Sequence, residues 1–374
     1  MQEVSTYVGL DVHQREIVVS MLRGVATESV EWKVAHDSAG IRRLVRKLKQ
    51  SARGEIECAY EAGPCGYTLQ RQLRGAGVAC QVVAPSLIPI KPGERIKTDR
   101  RDARKLAEHL RAGLLTEVHP PSEADEAVRD LCRCREDAKE DLMRVRHRLS
   151  KMLLRRGRVY RAGRNWTKRH REWLGRQRFE HAADQAVFED YLLAIEQLEE
   201  RVVGLDTRLT EVAATEAYRE RVGWLRCFRG IDTVAAMTIL AELHDFARFG
   251  SPRQLMAYLG LVPSEHSSGA ATHRGAITKS GNRHVRRMLV QVAWHYRHRP
   301  AVGAALRKRR RDQPAAILAL ADRAQQRLHR RYCRLLLGCH KPHQKVVIAV
   351  ARELVGFLWA ALYLYPRCQQ APAS

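Results

Sequence analysis

The sequence predicts an α/β domain at the N-terminus, a long helical segment after it, and a mainly α-helical C-terminal domain. Short apolar strands alternate with helical patterns over the first part of the chain, the pair Pro120-Pro121 interrupts them, and long 3.6-residue periodicities follow. With 374 residues, at about 100–200 residues per domain, two or three folding units are expected. We divide the chain at the composition shifts into residues 1–118, 119–220, 221–310 and 311–374.

The N-terminal segment begins with three predicted strands and then alternates helix and strand. Asp37-Ser38 is expected to begin the first helix, because aspartate and serine are good N-caps and apolar residues recur at helical spacing after them. The predicted strands are Tyr7–Val12, Ile17–Leu22, Val30–Val34, Ile56–Tyr60 and Ala79–Val83, with helices at Tyr67–Leu73 and from Asp99 onward. Three consecutive strands followed by alternating helices and strands are typical of an RNase H-like fold.

Four carboxylates occur where this fold would bring them together. Asp11 ends the first strand, Glu61 follows the fourth strand, and Asp99 and Asp102 share one face at the start of a helix. An ionised carboxylate on a buried strand is costly unless a cation neutralises it. Oxygen ligands favour Mg²⁺, with Mn²⁺ as the alternative, and two such ions suit phosphodiester chemistry. Two competing acids, Glu55 and Glu57, occur near Glu61 on the same strand.

A formal net charge of +25 predicts a polyanionic partner, most simply nucleic acid. Residues 142–171 contain no Asp or Glu but many Arg and Lys, with Tyr160 and Trp166 among them. A solvated helix face normally mixes charges, so this run favours phosphate contact over a plain basic surface.

Apolar residues from Val187 to Val212 recur at steps of three and four, which is typical of a heptad seam. A dimerising coiled coil and an intramolecular helical hairpin both fit this pattern. Further on, Phe228 to Ala236 resembles the hairpin of a helix-hairpin-helix element, which binds phosphate at a helix N-terminus. Asp232 replaces the usual second glycine, so a core helix after a glycine turn fits equally well.

A serine-rich segment from Pro263 to Gly269 is predicted to be a loop. No acid occurs from His266 to Arg311, and Arg and Lys flank the serines. Such a loop could present a hydroxyl nucleophile to a phosphodiester, although serines are also common in ordinary turns.

Nine cysteines without a C-x-x-C pair indicate reduced thiols in a cytoplasmic protein. The N-terminus lacks a basic segment followed by an apolar run, so no signal peptide is expected. The apolar stretch Val346 to Tyr365 is interrupted by Arg352 and Glu353 and is expected to be a buried helix, so we expect no membrane partner.

The motifs Tyr7–His13, Tyr60–Gly63, Lys97–Ala103 and Gly260–Asn282 together resemble the DEDD transposases of insertion sequences. The resemblance covers residues 5 to about 300 and implies a RuvC-like N-terminal domain with a distinctive C-terminal transposase domain. It implies a bacterial site-specific recombinase that acts on donor and target DNA, guided by a structured RNA. It also implies that the regions Arg155–Arg178 and Arg283–Arg311 hold RNA and DNA backbones.

The resemblance assigns residue roles as well. It implies that Asp11, Glu61, Asp99 and Asp102 bind metal. It further implies that a serine forms a covalent 5′-phosphoserine link to DNA; Ser268 directly precedes Gly269 and matches this nucleophile, while Ser267 leaves a one-residue ambiguity. The resemblance also implies that the serine and the carboxylates can come from different protomers within a tetramer, and we expect a homo-oligomer, either a dimer or a tetramer.

Three other functions remain open at this point. A RuvC-like structure-selective endonuclease would use water as its nucleophile and would not need Ser268. A nucleic-acid-binding scaffold would have lost its active site, which the presence of all four carboxylates argues against. A sugar-kinase-like fold would need further glycine-rich phosphate loops, which we do not find in this sequence.

Overall fold

A computed structural model describes residues 4–89, 98–268 and 271–370, with side chains at all of these except 4–5, 266–268, 271–272 and 368–370. The chain forms two compact units, Met1–Pro121 and Ser122–Ser374. The boundary between them follows Pro120-Pro121, where the sequence predicts an interruption. The finer division of the second unit into residues 119–220, 221–310 and 311–374 stays a prediction.

The first unit is built on a six-stranded mixed sheet with the order β3-β2-β1-β4-β5-β6. Its strands are β1 (Val4–Val12), β2 (Glu16–Arg23), β3 (Val30–Ala35), β4 (Glu55–Glu61), β5 (Ala79–Val83) and β6 (Glu117–Val118). The first three strands are antiparallel, and β4 and β5 run parallel to β1. This is the RNase H-like arrangement that the order of predicted elements indicated.

Helices cover both faces of this sheet, namely α1 (Ser38–Ser51), α2 (Thr68–Gly75) and α3 (Asp99–Arg111). The predicted cap of α1 is confirmed, because the Asp37 side chain accepts a hydrogen bond from the Gly40 amide at 2.6 Å. Strand residues such as Val8 and Leu10 pack into one core with α1 and α2. On the opposite face a smaller core joins Ala59 of β4 to helix α3. The result is a three-layer α/β/α unit.

The second unit is mostly helical. Its helices are α4 (Glu123–Arg155), α5 (Lys168–Gly175), α6 (Ala182–Ala213), α7 (Glu216–Arg226), α8 (Thr233–Leu243), α9 (Pro252–Tyr258), α10 (Arg283–Ala293), α11 (Ala304–Arg310), α12 (Ala315–Cys333), α13 (His343–Trp359) and α14 (Tyr365–Gln370). Short π-helical segments, Arg334–Gly338 and Ala360–Leu364, follow α12 and α13. One continuous hydrophobic core runs from Cys132 on α4 through α8 to the C-terminal helices.

The heptad seam of α6 packs inside the chain. Ile195 is buried in a core with α4 residues such as Leu149, and Val202 and Leu205 are buried with Ala138 of α4. An apolar seam can pack against any helix that presents an apolar face. Helix α4 belongs to the same chain and is therefore always close to α6. Of the two alternatives that the pattern left open, the structure contains the intramolecular helical hairpin.

The serine-rich segment is a β-hairpin rather than the predicted loop. Strands β7 (Pro263–Ser268) and β8 (Ala271–Ile277) pair antiparallel. Glu265 lies opposite Arg274 across the ladder, and their side chains form an ion pair at 3.4 Å. Short polar strands lack the alternation of apolar and polar residues by which a strand is usually recognised in sequence, which is why this hairpin escaped prediction.

One described helical stretch, His343–Arg367, is long and apolar enough to cross a membrane by length and composition alone. Of its most apolar window, 56% is buried within the fold. Val350 and Leu354 are fully buried in the core of the second unit. A mostly buried apolar helix is typical of a globular core, as the sequence predicts for this stretch.

The described cysteines are all free thiols. Burial raises the pKa of Cys80 and of Cys132 to about 12, so both remain protonated at neutral pH. This agrees with the expectation of reduced thiols that pack as small apolar residues.

Candidate active site

The candidate site lies where strand β1 ends against the first turn of α3. Gly9 and Asp11 point to the α3 face of the sheet, because side chains alternate along a strand. Gly9 allows a close approach: a Cβ at that position would lie 1.9 Å from the Ala103 carbonyl oxygen and 2.6 Å from the Ala107 amide nitrogen. The missing side chain at Gly9 therefore lets α3 pack directly on β1, beside Asp11.

The N-terminus of α3 brings the next two carboxylates to this point. The Thr98 hydroxyl caps the helix by accepting from the Arg101 amide at 3.4 Å, so Asp99 is the first helical residue. The ligand atoms of Asp11, His13 and Asp99 all lie within 4.8 Å of one another. Asp102 follows one turn later on the same helix face and is near enough to affect the charge of Asp11.

Asp11 has an unfavourable electrostatic environment as a bare carboxylate. Burial raises its pKa, and the negative charges of Asp99 and Asp102 raise it further, while the contact with His13 opposes them. Like charges gathered at a half-buried position repel one another and lose solvation. A bound cation would relieve both effects, so the donor set fits a divalent metal.

Glu61 ends the neighbouring parallel strand. Leu10 of β1 pairs with Tyr60 of β4, so Asp11 and Glu61 come next in register at the carboxyl ends of their strands. Alternation places Glu61 on the α3 face, although its carboxylate does not belong to the cluster of Asp11, His13 and Asp99. The competing acid Glu57 is hydrogen-bonded to Gln81 on β5, earlier along the strand. Glu61 as a metal ligand stays a prediction.

His13 belongs to this cluster, and the sequence analysis did not single it out. Its Nε2 lies 3.1 Å from Asp11 Oδ2 and 3.7 Å from Asp99 Oδ2, and its main-chain oxygen contacts His36 Nδ1 at 2.7 Å. The available signal was its position two residues after Asp11, just past the end of the strand. A histidine nitrogen is a softer ligand than a carboxylate oxygen, and the carboxylates around it also suit Mn²⁺.

The hairpin β7–β8 carries the predicted nucleophile at its tip. Ser268 pairs with Ala271 in the ladder, while the side chains of Ser267 and Ser268 lie outside the described residues. The role of Ser268 therefore stays a prediction.

The base of this hairpin is tightly constrained. A Cβ on Gly281, whose φ is +65°, would lie 1.8 Å from the Tyr258 carbonyl oxygen. The Arg286 guanidinium donates to the Leu259 and Ser280 carbonyls at 2.9 and 2.8 Å. These contacts hold the segment after β8 against the end of α9.

A buried ion pair anchors the same segment to α4 and α8. Glu242, whose side chain is 1% exposed, accepts two hydrogen bonds from Arg133 at 2.7 and 3.0 Å and one from Asn282 at 2.6 Å. Burial alone would raise the pKa of Glu242, but the hydrogen bonds from Arg133 and Asn282 outweigh it and lower the pKa. Asn282 also caps α10 by accepting from the Val285 amide. The residue that begins α10 is thereby tied to the core.

Replacing Glu242 with alanine is expected to lower the free energy of unfolding by about 2–4 kcal/mol, because Arg133 and Asn282 lose their shared acceptor. Asp141→Ala is a matched control, since its pair with Arg144 is exposed and such pairs contribute about 0–1 kcal/mol. Denaturant unfolding followed by tryptophan fluorescence measures both, and five of the six tryptophans lie in the second unit. Equal midpoints for the two variants would contradict the anchoring role.

The turn that resembles a helix-hairpin-helix is a structural element in this chain. Asp232 caps α8 by accepting from the Ala235 amide at 2.8 Å, so the helix N-terminus already holds a carboxylate. Helix α8 is buried from Ala235 to Leu243. The core-helix alternative therefore describes this region better than a phosphate-binding hairpin.

The basic run of residues 142–171 is partly neutralised within the fold. Arg146 and Arg171 both pair with Glu199 of α6, and Arg156 pairs with Asp184. Eight exposed cations in this run make no ion pair among the described residues: Arg148, Lys151, Arg155, Arg158, Arg161, Arg164, Lys168 and Arg169. This smaller group is what remains available to phosphates.

The basic run near residue 310 is also partly structural. Arg309 donates to the Ile231 carbonyl at 2.5 Å, and Arg310 donates to the Cys227 carbonyl at 3.0 Å and pairs with Asp322. These two arginines are therefore engaged by carbonyls and a carboxylate elsewhere in the chain.

Comparison with known proteins agrees with this geometry. A family model described as a transposase, of the DEDD IS110 type, matches residues 8–156, which include all four carboxylates. The model of the transposase IS116/IS110/IS902 family matches residues 224–307, which include the serine hairpin. The chain belongs to this transposase family. It is therefore a DNA transposase, and its DEDD domain indicates the use of a divalent metal.

Relatives cover most of the transposase. The protein y4qE of Sinorhizobium fredii is 42% identical over 356 residues, which are 95% of this chain and 87% of that protein. The transposase for insertion sequence element IS1533 of Leptospira borgpetersenii is 37% identical over 331 residues, 87% of this chain and 95% of the relative. The transposase for IS1111A of Coxiella burnetii is 25% identical over 60% of this chain and 61% of its own length.

Proposed function

We propose that this transposase is an RNA-guided, site-specific recombinase that cleaves and rejoins DNA with a Mg²⁺-binding carboxylate cluster and a serine nucleophile. The observation that carries the metal part is the convergence of Asp11, His13 and Asp99 within 4.8 Å, with Asp102 one turn away. The serine and the guide RNA are supported by the resemblance of the motifs around Ser268 and by the unpaired cations of residues 142–171. It would act as a homo-oligomer in the bacterial cytoplasm.

The carboxylates, His13 and the exposed cations have different tasks in this proposal. Asp11, Asp99 and Asp102, joined by Glu61 from the adjacent strand, would hold Mg²⁺, which supplies charge stabilisation at the phosphate when bound. His13 orients the Asp11 carboxylate through their 3.1 Å contact. The exposed cations of the second unit would position nucleic-acid backbones without reading their sequence. Pairing with the guide RNA would supply the sequence specificity.

The serine step is a transesterification. The Ser268 hydroxyl oxygen attacks a DNA phosphorus, the bond from phosphorus to the 3′ oxygen breaks, and that oxygen leaves with a proton as a free 3′ hydroxyl. The serine proton passes to solvent or a nearby base. A 3′ hydroxyl of the second DNA then attacks the phosphoserine, restores the phosphodiester and frees the serine. Each step exchanges one phosphate ester bond for another, so no external energy source is needed.

Ser268→Ala is expected to abolish a covalent protein–DNA adduct that forms in the presence of donor DNA, target DNA, the element's flanking RNA and Mg²⁺. The readout is a shifted band on a denaturing gel that survives boiling and disappears after protease treatment. Ser267→Ala is the matched control, since it removes the neighbouring hydroxyl and leaves Ser268 in place. Loss of the adduct only in Ser267→Ala would identify Ser267, rather than Ser268, as the nucleophile.

The same gel separates this proposal from a water-dependent nuclease. Nicked DNA without an adduct, equally abundant in wild type and in Ser268→Ala, would overturn the serine mechanism. Adduct formation that does not depend on added RNA would remove the guide from the proposal but retain the serine.

A further inference from the structure

Helix α12 carries a row of exposed arginines for which the site described above has no use. Arg323, Arg327 and Arg330 lie on α12, and Arg334 begins the π-helical segment that continues it; all four are exposed and are spaced four, three and four residues apart. That spacing keeps them on one side of the helix. The opposite side of α12 packs into the core through buried residues such as Leu328 and Tyr332. We call these four residues, together with Arg331, the α12 arginine surface.

A shallow pocket of about 460 Å³ opens on this surface. It is lined by Arg327, Arg330, Arg331, Arg334 and Glu353 of α13. Four guanidinium groups thus face one carboxylate, which leaves an excess of three positive charges.

The single carboxylate is already occupied. Glu353 pairs with Arg327 through one oxygen and with Arg331 through the other, the second at 2.9 Å. Arg330 and Arg334 make no ion pair among the residues that the structure describes. Their guanidinium groups face solvent and are available to an external anion.

Structural causes explain only part of this arrangement. The C-terminal end of a helix favours cations, and this accounts for basic residues in the last turn of α12. The effect falls off within one turn, so it does not explain Arg323 and Arg327 farther back. Arginines at i, i+3 and i+4 on one face repel one another and destabilise a helix. A polyanion bound across them would remove that repulsion.

We propose that the α12 arginine surface binds the phosphodiester backbone of duplex DNA. Planar guanidinium groups pair well with phosphate oxygens, which favours arginine over lysine for this task. From Arg323 to Arg334 the helix rises about 16 Å at 1.5 Å per residue, which is close to five base-pair steps of about 3.4 Å. Duplex DNA is preferred as the ligand because the family acts on DNA.

This site lies beyond residue 307, where the second family model ends. It involves neither the carboxylate cluster nor the serine hairpin. Its contacts would reach phosphates only, so they would raise affinity for any duplex without changing sequence preference.

The test is the salt dependence of binding to a labelled duplex of arbitrary sequence, measured by fluorescence anisotropy between about 50 and 200 mM salt. For the full-length double variant Arg330→Gln/Arg334→Gln, loss of two phosphate contacts should reduce the slope of log K against log salt by about 1.8. Affinity near the low-salt end should fall about ten-fold or more. The charge-retaining variant Arg330→Lys/Arg334→Lys should keep most of the wild-type slope.

A matched control removes two other exposed arginines. Arg208 and Arg219 lie on α6 and α7 with Glu211, Glu216 and Glu220 close by in sequence, so their surroundings mix both signs of charge. Arg208→Gln/Arg219→Gln should leave the slope unchanged. The assay measures binding rather than cleavage, which separates this site from the catalytic proposal.

Two results would overturn the proposal. One is a slope for Arg330→Gln/Arg334→Gln equal to that of the control pair while circular dichroism shows both variants folded. The other is a reduced slope with an RNA hairpin of similar charge but an unchanged slope with duplex DNA, which would assign the surface to RNA instead.

Discussion

Replacing Asp11 with asparagine is expected to lower the rate of metal-dependent DNA strand cleavage by about a thousand-fold or more. Asparagine has nearly the same shape but no negative charge, so the variant tests the charge itself. Several kcal/mol of transition-state stabilisation come from metal ions in phosphoryl chemistry, and about 4 kcal/mol corresponds to a thousand-fold. Cleavage of a labelled donor duplex under single-turnover conditions measures the effect.

The same substitution should not unfold the protein. Burial and the charges of Asp99 and Asp102 make an ionised Asp11 unfavourable when no metal is bound, as the raised pKa of Asp11 shows. Removing that charge relieves the repulsion, so the asparagine variant should be at least as stable as wild type without metal. Its thermal stabilisation by added Mg²⁺ or Mn²⁺ should be smaller than that of wild type, because ligand binding stabilises the folded state.

Asp37→Asn is the matched control for this experiment. Asp37 is also in the first unit, and it caps α1 by accepting from the Gly40 amide. Asparagine is about as good an N-cap as aspartate, so stability and cleavage should both stay near wild type. If Asp11→Asn cleaved DNA as fast as Asp37→Asn does, the carboxylate cluster would not be the metal site.

The parts of the fold that were predictable are those with strong local patterns. The strand that carries Asp11 next to its last residue is mostly apolar, and the helix that begins at Asp99 has a threonine cap and a clear 3.6-residue period. Parallel neighbouring strands end at the same edge of a sheet, so Asp11 and Glu61 could be placed together from their element types alone.

The features that escaped prediction depend on partners distant in sequence. Glu199 lies 53 residues from Arg146 and neutralises it across the α4–α6 hairpin, so a run of one charge sign in sequence became a mixed surface in space. Glu242 lies 109 residues from Arg133. A single sequence does not show which of many carboxylates will meet a given arginine, because the fold decides the pairing.

The role of His13 escaped prediction for a different reason. Its contact with Asp11 is local, but a histidine just after a strand is common and most such residues are only solvated. The cluster became visible when α3 brought Asp99 Oδ2 to 3.7 Å from His13 Nε2. Tertiary packing of α3 on β1 is therefore the step that creates the site, and that step depends on Gly9.

Gly9→Ala is expected to disrupt the carboxylate cluster without changing any of its members. The new Cβ would lie 1.9 Å from the Ala103 carbonyl oxygen and 2.6 Å from the Ala107 amide nitrogen, far inside any allowed contact. Both of these are backbone atoms, so they cannot rotate away. Helix α3 must then move off the sheet, and it carries Asp99 and Asp102 with it. Overpacking of this kind costs about 1–3 kcal/mol in stability.

The effect on function should exceed the effect on stability. Catalytic groups displaced by about 1 Å can lose about a hundred-fold in rate, because metal-dependent chemistry requires the ligands in one geometry. We therefore expect Gly9→Ala to remain folded by circular dichroism, to unfold at lower denaturant concentration, and to lose most of its stabilisation by Mn²⁺ along with its cleavage activity.

Gly75→Ala provides the control, because a Cβ on this last residue of α2 meets no atom within 4 Å. It introduces the same methyl group into the same unit and should leave metal binding and cleavage at the wild-type level. Should Gly9→Ala bind Mn²⁺ and cleave DNA like Gly75→Ala, the close packing of α3 on β1 would not be what aligns the carboxylates. A loss confined to Gly9→Ala would instead show that a residue without a side chain determines the geometry of the site.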